Sequence, residues 1–172
     1  MRQNAETFYQ EDLRWKVRLR SYKENQERIP AVHMTYNCII VFNQTKDAAL
    51  FCRRVKEPFK GLLNFVGGKV EPGEASEDAA YRELREETGI TAAQIRLHHF
   101  MDIRYYYQDF DLEMYVGMLE EDVLLREEIN PLLWLALDED FTDRTRFAGD
   151  QNIAHIMNVS MKYPLAEGGH LR

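Results

Sequence analysis

The pattern of apolar and polar positions along this chain predicts both strands and helices. Short apolar runs separated by turn-forming residues are typical of strands in a sheet. We predict strands at 34–43, 48–55, 62–66, 95–107, 112–119 and 132–137. Two helices are predicted, at 76–88 from its end signals and at 150–163 from apolar residues at helical spacing. This order predicts the α+β class, with a central mixed β-sheet and a helix on each face.

The two ends of the chain do not share this pattern. Residues 5–13 favour a helix, whereas residues 13–19 alternate as a strand does, so both structures stay open for this region. We therefore divide the chain into an N-terminal extension at 1–30, one domain at 31–163 and a mobile tail at 164–172.

The predicted helix at 76–88 has recognisable signals at both ends. Ser76 is a suitable N-cap, and Glu77 and Asp78 are favourable in the first turn beside the positive end of the helix dipole. Gly89 supplies the C-terminal stop.

Composition and charge narrow the class of protein. The chain has 172 residues and a net charge of −7, which argues for one domain and against a partner that is a nucleic acid polymer. No apolar run is long enough to cross a membrane, and the polar N-terminus lacks a signal core. Cys38 and Cys52 lie in apolar stretches, and we interpret them as reduced thiols of a cytoplasmic protein.

Acidic residues are concentrated on the predicted helix at 76–88. Glu83, Glu86 and Glu87 share one helix face, and Arg82 lies one turn from Glu86. Such a face is most often only solvated. The functional alternative is a hard cation, Mg²⁺ or Mn²⁺, that neutralises the carboxylates and binds substrate phosphates.

The segment 67–90, GGKVEPGEASEDAAYRELREETGI, contains a longer pattern that decides between these alternatives. The fixed positions of this 23-residue pattern are Gly68, Glu74, Arg82, Glu83, Leu84, Glu86, Glu87, Gly89 and Ile90. They match the Nudix box at every specified position. The chain therefore resembles the Nudix hydrolase family, across roughly residues 34–163.

The resemblance implies a fold, a reaction and a metal site. Nudix hydrolases fold as an α/β/α sandwich and use Mg²⁺ or Mn²⁺ to cleave a nucleoside diphosphate linked to another group. The implied metal ligands are oxygen donors: the Gly67 carbonyl, Glu83, Glu86, Glu87 and an acid from a later loop. We place Glu127 in this last position, with Glu128 as the alternative.

The resemblance also implies roles in catalysis. Glu83 and Glu86 would act in catalysis as well as in metal binding, and Glu83 is the candidate to deprotonate or orient the attacking water. Arg82 would hold the glutamates in place, and Glu74 would brace the loop against the helix.

The residues expected to bind the base resemble those of the MutT-type branch, which removes oxidised purine nucleotides such as 8-oxo-dGTP. Asn64 matches an Asn that contacts the base just before the glycines, and Phe147 and Asp150 fall where the branch has an aromatic residue followed by acids. The alternatives are structural: Asn64 as a turn former and Asp150 as a helix N-cap. The chain has Gly149 where the branch often has another acid.

Other candidate contacts and substrates remain open at this level. Arg54 and Lys69 are expected to add positive charge for the phosphates. The tyrosines at 105–107 are typical of some dinucleoside polyphosphate hydrolases, although in a strand they are more often structural. ADP-ribose and nucleotide sugars are further alternatives, as is a non-catalytic nucleotide sensor. A homodimer formed through residues 1–30 is also expected.

Overall fold

A computed structural model describes residues 33–106, 108–149 and 152–165. In this part of the chain it has six strands and two helices. In chain order they are β1 (Met34–Phe42), β2 (Ala48–Arg53), β3 (Leu63–Asn64), α1 (Ser76–Thr88), β4 (His98–Tyr105), β5 (Phe110–Met118), β6 (Leu132–Ala136) and α2 (Asn152–Ser160). Each predicted element is therefore present: α1 has its predicted bounds, β5 begins and ends earlier than predicted, and the others are shorter. The extension at 1–30 lies outside the described residues, as does most of the tail.

The six strands form one mixed sheet with the order β3-β2-β1-β5-β4, and β6 also pairs with β2. β1 and β5 run parallel along their full length, from Met34 opposite Phe110 to Phe42 opposite Met118. The other pairings are antiparallel, including the β1–β2 and β4–β5 hairpins. The start of β1 also lies beside the segment that leads into α1, since the Val70 N–H donates to the Thr35 carbonyl at 2.9 Å.

Each face of the sheet is covered by one helix. On one face, Ile39 of β1 belongs to the same buried cluster as Leu84 of α1. On the other, Ile40 belongs to the same cluster as Ile153 and Met157 of α2. Because successive side chains of a strand point to opposite faces, β1 contributes to both cores. The structure is thus the predicted α+β sandwich.

The strand predicted at 62–66 is only two residues long. Beyond Asn64 the chain leaves β2 and turns to β1, where the Ile39 N–H donates to the Val66 carbonyl at 2.9 Å. The predicted length was wrong because this exchange of partners depends on tertiary contacts. Its consequence is that the following glycines are held against β1.

The N-cap prediction for α1 was also wrong. Ala75 occupies the N-cap position, with no side-chain cap hydrogen bond, and Ser76 instead donates its hydroxyl hydrogen to Glu113 on β5. The C-terminal signal is confirmed, since Gly89 has a φ of 78° and its N–H donates to the Arg85 carbonyl at 2.9 Å.

Two predictions from composition can be compared with the structure. Cys38 and Cys52 are free thiols, and burial raises the pKa of each to about 12. Among the described residues no helix combines the length and the apolar character that crossing a membrane requires.

Candidate active site

The loop containing Gly67 and Gly68 is fastened to both β1 and α1. The Asn37 N–H donates to the Gly68 carbonyl at 2.8 Å, and the Gly68 N–H donates to Asn37 Oδ1 at 3.2 Å. On the other side, the Gly67 N–H donates to Glu87 Oε2 at 3.0 Å. The loop is therefore fixed between the sheet and the glutamate-bearing face of α1.

Neighbouring atoms come so close to both glycines that neither position has room for a side chain. Gly67 has a φ of 132°, and a Cβ there would lie 2.4 Å from the Asn37 carbonyl oxygen. A Cβ on Gly68 would lie 2.4 Å from Oε2 of the Glu83 carboxyl group. The backbone of Gly68 and the Glu83 carboxylate thus approach more closely than any side chain on Gly68 would allow.

Arg82 links the loop to the acidic face of α1. Its Nε and Nη2 donate to the two Glu74 oxygens at 2.8 and 2.9 Å, and Nη2 also donates to the Lys69 carbonyl at 3.0 Å. Its Nη1 donates to Glu83 at 2.6 Å and to Glu86 at 3.3 Å. Hydrogen bonding to Arg82 lowers the pKa of Glu74 to about 2. A planar guanidinium can make all these contacts together, which a lysine ammonium could not.

Glu87 is half-buried and accepts the hydrogen bond from the Gly67 N–H. Burial raises the pKa of Glu87, and the nearby charges of Glu83 and Glu128 act in the same direction. The hydrogen bond from the Gly67 N–H and the positive charge of Arg54 act in the opposite direction. Glu87 is therefore a partly buried carboxylate that added positive charge would stabilise.

The chemistry of these side chains fits a divalent cation, although they are not arranged around one. Among the described residues, no group of three His, Cys, Asp or Glu side chains is close enough together to hold a metal as it stands. Arg82 occupies one oxygen each of Glu83 and Glu86. An all-oxygen set beside a buried, electrostatically unfavourable Glu87 is nevertheless what Mg²⁺ or Mn²⁺ prefers.

The two acids considered for the later loop have different surroundings. Glu127 Oε1 accepts a hydrogen bond from the Leu132 N–H at 2.8 Å, at the start of β6. Glu128 instead acts electrostatically on Glu87. The negative charge of Glu128 is the smallest of the causes that act on the pKa of Glu87, and the choice between Glu127 and Glu128 as the acid of the metal site stays a prediction.

Two of the three predicted base contacts, Asn64 and Phe147, differ in how exposed their side chains are. Asn64 is half-buried, and Ala148 donates its N–H to the neighbouring Leu63 carbonyl at 2.9 Å, so the loop before α2 passes beside β3. Phe147 is only 4% exposed, with its ring 5.6 Å from that of Phe51. It is a core residue, too deeply buried in this conformation to stack on a base. Asp150 lies outside the described residues.

The two predicted phosphate contacts lie near the loop. Arg54 has a buried Nε for which the described part of the chain provides no hydrogen-bond partner, and its charge opposes the rise in the pKa of Glu87. Lys69 is exposed, directly after the glycine pair. A buried guanidinium nitrogen without a partner is costly, so Arg54 has a donor available for an anionic ligand.

Asn37 is the residue of this region that the sequence analysis missed. It is 2% exposed, and its side chain and its backbone both bind Gly68. The available signal was an amide side chain in the apolar segment MTYNCIIVF, because a polar group in a buried strand needs a reason to be there.

Comparisons with known proteins identify the family. The NUDIX domain family model matches residues 32–153. The 8-oxo-dGTP diphosphatase of Escherichia coli K12 is 31% identical over 100 residues, which are 57% of this chain and 76% of that protein. The ADP-ribose pyrophosphatase of Methanocaldococcus jannaschii is 49% identical over 41 residues, 24% of each chain.

Solved structures show the same fold. A MutT structure from work on Aliivibrio salmonicida and Vibrio cholerae superimposes with a TM-score of 0.58 at 21% identity. The match covers 74% of this chain and 98% of that one.

Proposed function

The chain belongs to the Nudix family, and we propose that it is a Nudix hydrolase that cleaves a nucleoside triphosphate to the monophosphate and pyrophosphate. The favoured substrate is 8-oxo-dGTP or a related purine nucleotide. The observation that carries the proposal is the group of Glu83, Glu86 and Glu87, linked to the loop at 67–69 by Arg82 and by one hydrogen bond from the Gly67 N–H. The similarity to the Escherichia coli enzyme supports the choice of substrate.

The proposed cofactor is Mg²⁺ or Mn²⁺, held by the Gly67 carbonyl and the three glutamates. When bound, the cation neutralises phosphate oxygens and makes water more acidic. Glu83 is the proposed proton acceptor for the attacking water. Arg82 bonds to Glu83 Oε1, so Oε2 is the oxygen that this bond leaves unoccupied.

The proposed contacts to the nucleotide divide into two groups. Arg54 and Lys69 bind phosphate oxygens through charge-assisted hydrogen bonds. Asn64 reads the purine edge through its amide group, together with Asp150. The cytoplasmic location and the homodimer remain predictions.

The test of this proposal is pyrophosphate release from 8-oxo-dGTP and from dGTP, measured side by side with millimolar Mg²⁺. We expect release from both and faster release from the oxidised base, because Asn64 would read the altered purine edge. Excess EDTA is the control and should stop the reaction. Absence of phosphate and pyrophosphate release from a broad nucleotide panel would refute the proposed activity.

A second candidate keeps the reaction class and changes the substrate to ADP-ribose. It is favoured by the match to the Methanocaldococcus jannaschii protein, although that match covers only 24% of this chain. Product analysis separates the two candidates, because cleavage of ADP-ribose gives AMP and ribose 5-phosphate rather than pyrophosphate. Dinucleoside polyphosphates and nucleotide sugars are tested in the same panel. A non-catalytic sensor is disfavoured because all the glutamates of the motif are present.

Glu127 and Glu128 offer a matched pair of variants for the later loop. We expect Glu128→Gln to raise the Mg²⁺ concentration needed for half-maximal activity roughly 10–100-fold, the usual effect of weakening a metal's surroundings. Glu127→Gln should leave it nearly unchanged, because a Gln oxygen can still accept from the Leu132 N–H. Magnesium titrations of both variants measure this, and the reverse result would restore Glu127 as the ligand.

A further inference from the structure

Asn37 occupies a position where an apolar side chain would be expected. It is 2% exposed within β1, the strand whose later residues, from Ile39 to Phe42, are fully buried in the core. Its Nδ2 is one of two buried side-chain atoms without a hydrogen-bond partner in the described residues. Burying an amide with an unpaired NH₂ group is unfavourable. Its presence therefore calls for an explanation from the contacts that it does make.

Two of those contacts are hydrogen bonds to one glycine, Gly68. Asn37 Oδ1 accepts from the Gly68 N–H at 3.2 Å, and the Asn37 N–H donates to the Gly68 carbonyl at 2.8 Å. The orientation of the amide follows from chemistry, since only the oxygen can accept from an N–H. Both backbone polar groups of Gly68 are thus bound by one residue of β1.

The direction of the preceding carbonyl follows from peptide geometry. In a trans peptide unit the C=O and the N–H point in opposite directions. Because the Gly68 N–H points at Asn37 Oδ1, the Gly67 carbonyl oxygen must point away from Asn37. Two consecutive glycines impose little conformational restriction of their own, so without this bond the peptide between Gly67 and Gly68 could rotate.

We infer that Asn37 is a positioning residue that sets the direction of the Gly67 carbonyl oxygen. The inference rests on the proposed function in one respect, namely that this oxygen is a metal ligand. Asn37 itself touches neither metal nor substrate in this assignment. It acts by removing an alternative orientation of the peptide that would turn the carbonyl dipole away from the cation.

Two substitutions separate the side-chain oxygen from the rest of the residue. Asn37→Leu has a similar size and removes the acceptor, whereas Asn37→Asp keeps an acceptor at the same place and removes the unpaired NH₂ group. Ile39→Val in the same strand is the matched control, because it mildly disturbs β1 without touching Gly68. Thermal melts of each variant report folding, which matters for Asn37→Asp because Glu113 lies opposite it on β5.

The first measurement is made on the metal-free protein. In ¹⁵N–¹H spectra the Gly68 amide should be hydrogen-bonded and slow to exchange in the native chain, in Asn37→Asp and in Ile39→Val. In Asn37→Leu it should lose that protection while the other β1 amides keep theirs. An unchanged Gly68 amide in Asn37→Leu would overturn the inference, whatever the protein hydrolyses.

The second measurement is Mn²⁺ binding, followed by the electron paramagnetic resonance signal of the free ion. Asn37→Leu should bind Mn²⁺ roughly 10–100-fold more weakly than the native chain, as expected when a residue that orients a ligand is lost. Asn37→Asp should recover much of that loss. Equal affinity in Asn37→Leu and Ile39→Val would overturn the positioning role. If the native chain bound no Mn²⁺, the proposed metal site would fail, and the assignment of Asn37 to it would fail with it.

Discussion

Replacing Gly68 with alanine is expected to lower nucleotide hydrolysis by about 10²-fold, the loss that a displacement of about 1 Å in a catalytic group can cause. The new Cβ would lie 2.4 Å from the Glu83 carboxyl carbon and Oε2, so the carboxylate must move. The fold should survive, because the atoms that the Cβ meets are at the end of a flexible side chain. Gly68 is also outside the positive-φ region that disfavours alanine.

The measurement is kcat and KM for the best substrate, together with the thermal midpoint. Gly73→Ala is the matched control, since Gly73 lies in the same connection and its Cβ would meet nothing within 4 Å. Its φ of 83° means that this control should lose some stability and little activity. If Gly68→Ala retained native kcat, Glu83 would not be needed at its observed position.

The fold was predictable because local signals and tertiary structure agree. The strands are short apolar runs, and α1 ends at Gly89 as its sequence indicates. The length of β3 was not predictable, because the chain beyond Asn64 changes its pairing partner from β2 to β1. Ser76 likewise bonds across to Glu113 instead of capping its own helix. Such errors arise where a residue's partner is distant in sequence.

In the candidate site too, contacts within one short segment were predictable, and contacts between segments distant in sequence were not. Arg82 and its carboxylates lie within one short segment, so their spacing on a helix predicts their contacts. Phe147 follows Arg146 in a polar loop, and only the packing of three phenylalanine rings shows that it is buried. Asn37 is separated from Gly68 by 31 positions, so its role depends on how the loop returns to β1.

Arg82 forms ion pairs with two of the three glutamates in the cluster but not with Glu87, and Glu87 is therefore the most informative glutamate to change. Arg82 neutralises part of the charge on Glu83 and Glu86. Among the described residues, the Gly67 N–H and the positive charge of Arg54 offset the burial of Glu87, and these do not prevent its pKa from rising. At neutral pH the ionised Glu87 therefore destabilises the metal-free fold, whereas in the proposed enzyme it would attract the cation.

Glu87→Gln is accordingly expected to change stability and activity in opposite directions. In EDTA the variant should melt at a higher temperature than the native chain, because Gln keeps the acceptor for the Gly67 N–H and removes the buried charge. With Mg²⁺ it should lose activity on the order of 10²–10³-fold, comparable to removing one electrostatic contact from a transition state. The added stability that the native chain gains from Mg²⁺ should also shrink, because that gain depends on affinity for the cation.

Thermal melts with and without Mg²⁺ test the expected change in stability, and steady-state rates test the expected loss of activity. Glu77→Gln, an exposed residue in the first turn of the same helix, controls for the loss of one negative charge and should keep native activity. Glu86→Gln should lose activity with a smaller stability gain, because the Glu86 side chain is 46% exposed and contacts Arg82. A Glu87→Gln variant that retained full activity would show that this buried carboxylate is not a metal ligand. A lower melting temperature in EDTA would instead show that its charge stabilises the fold.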